Sequence, residues 1–135
     1  MSTKEPVEAV LAFFNAINSA DVEELCALMS EDHVFVDGLG NRMQGREAMR
    51  KGWVGYFQLF PDYRVSHEEI FSNGEIVAAF GSAEGTYAKD GKLPKENHWR
   101  VPAAWKAVVR DGFISEWHVY ADNQPARKIM GLPNS

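Results

Sequence analysis

The chain has 135 residues, 45% hydrophobic and 12% aromatic, with a net charge of -5. That suits one domain with a real core, residues 1–135, and excludes a disordered chain. No apolar run approaches the roughly 20 residues of a membrane span. Lys and Arg are scattered through an acidic background, so neither membrane nor nucleic acid is an expected partner.

The amino terminus, Met1 to Pro6, lacks the basic start and apolar core of a signal peptide, so a cytoplasmic location is the expectation. From about Lys4 to Ser19, Val7, Val10, Leu11, Phe14 and Ile17 recur at helical spacing, with Pro6 tolerated in the first turn. Asp21 and Glu24 form an N-terminal capping pattern for a second, shorter helix ending near Ser30. Cys26, the only cysteine, falls on its apolar face; it permits no internal disulfide and predicts a small buried side chain.

A strand follows over His33 to Asp37. Alternation puts His33, Phe35 and Asp37 on one face and Val34 and Val36 on the other. Asp37 has two readings. A carboxylate held against apolar surface has its charged form disfavoured and becomes a usable general base. Asp beside Gly38 also favours a turn that its side chain caps. A loop through Gly45 leads to a third helix whose stripe, Met49, Trp53, Tyr56, Phe57 and Phe60, stops before Pro61. Its interior Gly52 and Gly55 each cost up to about 1 kcal/mol relative to Ala, which predicts close packing or room for a ligand.

From Tyr63 the pattern is β. Asn73-Gly74 predicts a hairpin between Tyr63–Phe71 and Ile76–Tyr87, and Asp111-Gly112 another between Trp99–Val109 and Phe113–Ala121. The segment from Lys89 to Glu96 reads as an exposed, mobile connection and a candidate lid. Asp122 can cap a last short helix ending at Gly131. Helices followed by a curled, mostly antiparallel sheet describe an α+β cone with an open-ended cavity. Val101, Ala103, Trp105, Ala107 and Val109 share one face of their strand, and Trp117 and Val119 one face of the next. The other face keeps Val108, Tyr120 and His118, which predicts a homodimer through it. The four histidines, His33, His67, His98 and His118, show no close metal-ligand spacing, so no metal is expected; no cofactor is expected either.

Further cues are Asn18 to Asp21, Cys26-Ala27-Leu28-Met29, Asp37 with Gly40, Gly45-Arg46-Glu47-Ala48, and the run from Asp111 to Trp117. On these the first forty residues resemble the ketosteroid isomerase branch of the NTF2-like superfamily. The whole chain resembles its SnoaL-like, polyketide-cyclase type. The resemblance implies an NTF2-like cone, N-terminal helices packed in a strongly curved sheet. The fold carries isomerases, cyclases, epoxide hydrolases, dehydratases and pure binding modules, so the residues must select among them.

Asp37 falls on the isomerase's proton-shuttling base. The isomerase's oxyanion tyrosine falls on Phe13, and its protonated aspartate near Ala103 to Trp105, where there is no acid. Losing such donors costs on the order of 3 to 4 kcal/mol each, which disfavours steroid isomerisation. Epoxide hydrolysis fails as well, because Phe35 and Asp37 replace its first-strand hydroxyl and amide. Trp117 matches a pocket tryptophan there, but Val119 stands where an acid is required. A SnoaL-type cyclase needs mainly one acid or base in an apolar pocket.

The candidate chemistry is therefore Asp37 with His33 as helper. Phe13, Phe35, Trp53, Tyr56, Phe57, His98, Trp105 and Trp117 are the candidate substrate contacts, and His98 is a second possible helper. The expected function is cyclisation or isomerisation of a small apolar carbonyl compound by proton transfer. The alternative is a noncatalytic ligand-binding or dimerisation module.

Overall fold

The computed structural model describes residues 4–132. In chain order they build α1 (Pro6–Asn18), α2 (Val22–Leu28), β1 (Met29–Val36), β2 (Arg42–Gln44) and α3 (Arg46–Leu59). Then come β3 (Arg64–Asn73), β4 (Ile76–Thr86), a short 3-10 turn (Lys95–Asn97), β5 (His98–Arg110), β6 (Phe113–Ala121) and α4 (Gln124–Ile129).

The helices start where their chemistry dictates. Pro6 opens α1 without losing a needed donor, and the Glu5 N–H donates to Glu8 Oε1 at 3.1 Å. Asp21 Oδ1 accepts the Glu24 N–H at 3.0 Å and caps α2. That helix stops at Leu28, and β1 begins at Met29, four residues ahead of the expected strand. Ser30, Glu31 and Asp32 hid the start, since the side chains of this segment stay outside the core apart from Met29, which is buried.

Six strands form one curved sheet in the order β2-β1-β6-β5-β4-β3. Every neighbouring pair is antiparallel except β1 with β6. The parallel pair and the short β2 were not legible in the sequence. The Asp111-Gly112 turn is as expected, both residues having the positive φ (53° and 81°) that a type I′ hairpin needs. The other hairpin is shifted by one residue: Asn73 pairs with Ile76, so Gly74-Glu75 forms the loop. The Lys89 to Glu96 connection is not structureless, because Lys89 and Lys92 pair across a tight turn at Asp90-Gly91.

Register puts Phe35 beside Trp117, Trp117 beside Ala107, and Val119 beside Trp105. These side chains share the face that meets the helices. There Phe13 packs on Trp117 at 4.5 Å, and Phe14 meets Trp105 at 5.0 Å edge to face. Two devices bend and anchor the far flank. At Gly81 a Cβ would lie 1.9 Å from the Ser66 carbonyl oxygen, opposite a bulge between His67 and Glu69. Asn18, at the end of α1, donates to the Val65 carbonyl at 2.9 Å and accepts its N–H at 2.8 Å, as a paired strand would. On the outer face Val108 is buried, so it offers nothing to a partner, whereas Tyr120 is exposed.

Candidate functional site

A cavity of about 380 Å³ lies between the inner face of the sheet, α3 and the C-terminal segment. It falls in the size range of small-molecule sites. Six of the sequence candidates line it: Phe35, Asp37, Trp53, Tyr56, Trp105 and Trp117. Four do not.

Phe13 is fully buried behind the wall against Trp117, in the core. Phe57 stacks on Trp53 at 5.4 Å but does not itself line the cavity. His98 alternates with Trp99, so it takes the outer face while Trp99 takes the inner. There His98 Nδ1 lies 3.0 Å from Thr86 Oγ1, which is held in turn by Asp62 Oδ2 at 2.7 Å. His33 shares its strand face with Phe35 and Asp37, but α1 covers it. It is fully buried, with Nδ1 2.7 Å from the Ile114 carbonyl, and Nε2 has no partner among the described residues. A carbonyl only accepts, so the proton sits on Nδ1. Burial pushes the His33 pKa down, partly opposed by that hydrogen bond.

Asp37 combines both geometries. Its Oδ1 accepts the Leu39 and Asn41 N–H groups, each at 2.9 Å, and Oδ2 accepts Asn41 Nδ2 at 3.2 Å. The carboxylate thus staples the β1–β2 turn and lines the cavity as well. A carboxylate has about four acceptor positions, so three such donors fix its orientation and leave room for one more. Gly38 seats this turn against the β6–α4 junction: a Cβ there would lie 2.8 Å from the Ala121 carbonyl and 3.0 Å from Asn123 Nδ2. Asp122 sits just outside, its Oδ1 accepting the Gln124 N–H at 2.9 Å. Arg127, from α4, is the other charged residue lining the cavity.

The opposite wall is aromatic, built by Tyr56, Phe60, Tyr63 and Trp99. Sequence reading missed Phe60, Tyr63 and Trp99 as site residues. The signal was present for Trp99, because extending the inward alternation of Val101 and Ala103 back by two reaches it. Gly85 makes room there; a Cβ would meet Phe60 Cβ at 3.3 Å and Trp99 Cζ2 at 3.4 Å. Tyr56 and Tyr63 meet edge to face at 4.8 Å. Burial raises the pKa of both phenols, Tyr63 to about 12. Of the two α3 glycines, Gly52 lines the cavity, while Gly55 meets open space. Among the described residues, no three His, Cys, Asp or Glu side chains come together as a metal would need.

The SnoaL-like domain family matches residues 10–117. The chain belongs to the SnoaL-like family. Solved structures agree with that assignment. IdmH of Streptomyces antibioticus, a candidate polyketide cyclase, is 26% identical with a TM-score of 0.77, over 96% of this chain and 100% of its own. A protein of ketosteroid isomerase-like fold from Catenulispora acidiphila, solved with trimethylamine, is 21% identical with a TM-score of 0.79, over 96% of each chain. A candidate SnoaL-like polyketide cyclase of Shewanella denitrificans is 16% identical with a TM-score of 0.79, over 94% of this chain and 98% of its own. A comparison with curated proteins returns no match. The SnoaL-like chain therefore folds as the NTF2-like α+β cone. No helix among its described residues is long and apolar enough to cross a membrane.

Proposed function

We propose that this SnoaL-like protein is a cyclase or isomerase that encloses a small, mostly apolar carbonyl compound and moves a proton with Asp37. The observation that carries this reading is the Asp37 carboxylate, oriented by its turn at the rim of an aromatic cavity. Apolar walls hold a flexible substrate in a folded pose, which supplies much of the barrier reduction for an intramolecular closure. Asp37 takes a proton from the carbon beside one carbonyl, the resulting enolate attacks a second carbonyl, and the alkoxide formed takes the proton back. Family membership and the likeness to candidate polyketide cyclases support the reaction class.

The test begins with native mass spectrometry of freshly purified protein, to identify a retained apolar carbonyl compound. With that compound as substrate, Asp37→Asn is expected to keep binding, since the amide oxygen still accepts the Leu39 and Asn41 N–H groups. Turnover should fall by about 100-fold or more. Full turnover in the variant would leave Asp37 a turn cap only. A retained compound that is bound but never converted would favour the noncatalytic binding module.

We also propose a homodimer through the outer sheet face, supported by the exposure of Phe71, Phe80 and Tyr120 there.

A further inference from the structure

The acid–base reading leaves the charged cavity residue of α4 without a role. Asn123, Ala126, Arg127 and Met130 all line the cavity, and a helix brings residues at this spacing to one face. Lys128 is exposed and lies outside the lining. Both basic residues of this last turn suit the negative end of α4, yet of the two it is Arg127 that is turned to the cavity. The backbone holds it there. The Arg127 N–H donates to the Asn123 carbonyl at 2.9 Å, and the Arg127 carbonyl accepts the Leu132 N–H at 2.8 Å across Gly131, whose φ is 75°.

That face of α4 meets the Asp37 turn. Asn123, one turn before Arg127, comes against Gly38, where a Cβ would lie 3.0 Å from Asn123 Nδ2. The two charges that line the cavity therefore enter it from neighbouring segments, while the aromatic wall opposite carries none. Asp37 has three N–H donors from its own turn, which replace water around its carboxylate when the cavity is filled. Arg127 is engaged as well, but a guanidinium carries five N–H donors, enough for a bidentate carboxylate besides. A neutral ligand would strip water from the guanidinium and supply nothing in return; a carboxylate supplies two acceptors and the opposite charge. The Asp37 carboxylate repels further negative charge, which limits the fit to a single anionic group.

We propose that Arg127 binds the carboxylate of an amphipathic ligand, a monoanion whose apolar body reaches from α4 to the aromatic wall. Arg127 is thus a ligand-binding residue that selects an acid over its neutral counterpart. This deepens the proposed function by naming the substrate class, an apolar carbonyl compound that carries one acid group, and it rests on the cavity being the ligand site. Its test needs no turnover, so its failure is distinct from a failure of Asp37 as the base.

The probes are 2-naphthylacetic acid and 2-naphthylacetamide, which share an aromatic body and nearly one shape and differ in charge. Both are titrated calorimetrically, at low salt and a neutral pH where the acid is ionised, into the wild type, Arg127→Gln, Arg127→Lys and Lys128→Gln. The wild type is expected to bind the acid more tightly than the amide. Arg127→Gln should weaken the acid by about tenfold or more, the range of a hydrogen bond to a charged group, and leave the amide within about twofold. Arg127→Lys, which keeps the charge but loses the planar fork, should fall between. Lys128→Gln removes the same charge outside the cavity and should leave both probes unchanged; a loss of acid binding equal to that of Arg127→Gln would assign the preference to net charge and overturn the proposal. Thermal melts check that the variants are folded. If Arg127→Gln weakens both probes equally, or neither, Arg127 is a structural residue and the assignment is overturned while the cavity stands as a ligand site. If neither probe binds the wild type, the cavity reading falls, and this inference with it.

Discussion

His33 and Asp37 lie on one face of one strand, and their surroundings give them opposite fates. His33 points into the core under α1, is held neutral by burial, and gives its Nδ1 proton to the Ile114 carbonyl. Unfolded, the imidazole binds a proton near pH 6.5; folded, it binds one only at lower pH. The unfolded state therefore binds more protons between those two values, and stability contributed above pH 6.5 is lost as the pH falls through that window. Urea unfolding at stepped pH should show a slope of up to about 1.4 kcal/mol per pH unit from this group. His33→Phe should flatten that part of the profile even where it lowers stability at neutral pH. An unchanged slope in the variant would assign the pH dependence to other groups. Four residues later, Asp37 escapes the core because β1 ends at Val36 and the chain turns back through Gly38 and Gly40. Alternation could supply the shared face, but it could not tell which of the two residues α1 covers.

At the scale of elements, the helices and hairpins whose signals are local were legible, and those whose cause is distant were not. Proline at the start of α1, the Asp21 cap and the Asp111-Gly112 turn each act within a few residues. The start of β1 depends instead on pairing with β6, from Met29 beside Ile114 onward, across more than half the chain. The glycines of α3 show the same division. Both were expected to mark packing or ligand space, and Gly52 lines the cavity, but Gly55 has open space around the position of a Cβ. Gly55→Ala is therefore expected to stabilise the protein by about 0.5 to 1 kcal/mol through helix propensity, read as a higher urea midpoint with unchanged m. Gly81→Ala should do the reverse: its Cβ would collide with the Ser66 carbonyl, and only a shift of β3 could relieve the clash. Equal effects from the two substitutions would mean that the close approach at Gly81 is relieved without strain.

For the whole molecule, the cone follows from a pattern that survives translation into three dimensions: apolar helix stripes, then long alternating strands. Half of the cavity came with it, because Trp105 and Trp117 point inward by alternation alone. The other half depends on Gly85 admitting Trp99 and on the Pro61 corner presenting Tyr63, and neither relation is local in the sequence. The outer face poses the last question of assembly. Phe71 is 58% exposed, Phe80 46% and Tyr120 57%, with Phe71 and Phe80 in edge-to-face contact at 6.4 Å. Tyr120 stacks on His118, whose neighbour Glu116 accepts from His118 Nε2 at 2.9 Å and has its carboxyl pKa lowered by that bond. Aromatic groups with a satisfied polar rim are the composition of a protein interface rather than of bare solvent-facing sheet. Two copies meeting through this face should sediment at twice the chain mass at tens of micromolar, roughly where an interface of standard size is populated. Phe80→Asp places a charge in the patch and should return the species to the single-chain mass, while the melting temperature of the single chain stays close to that of the wild type. A wild-type protein that sediments as a single chain at that concentration would leave the aromatic patch without a second copy to cover it.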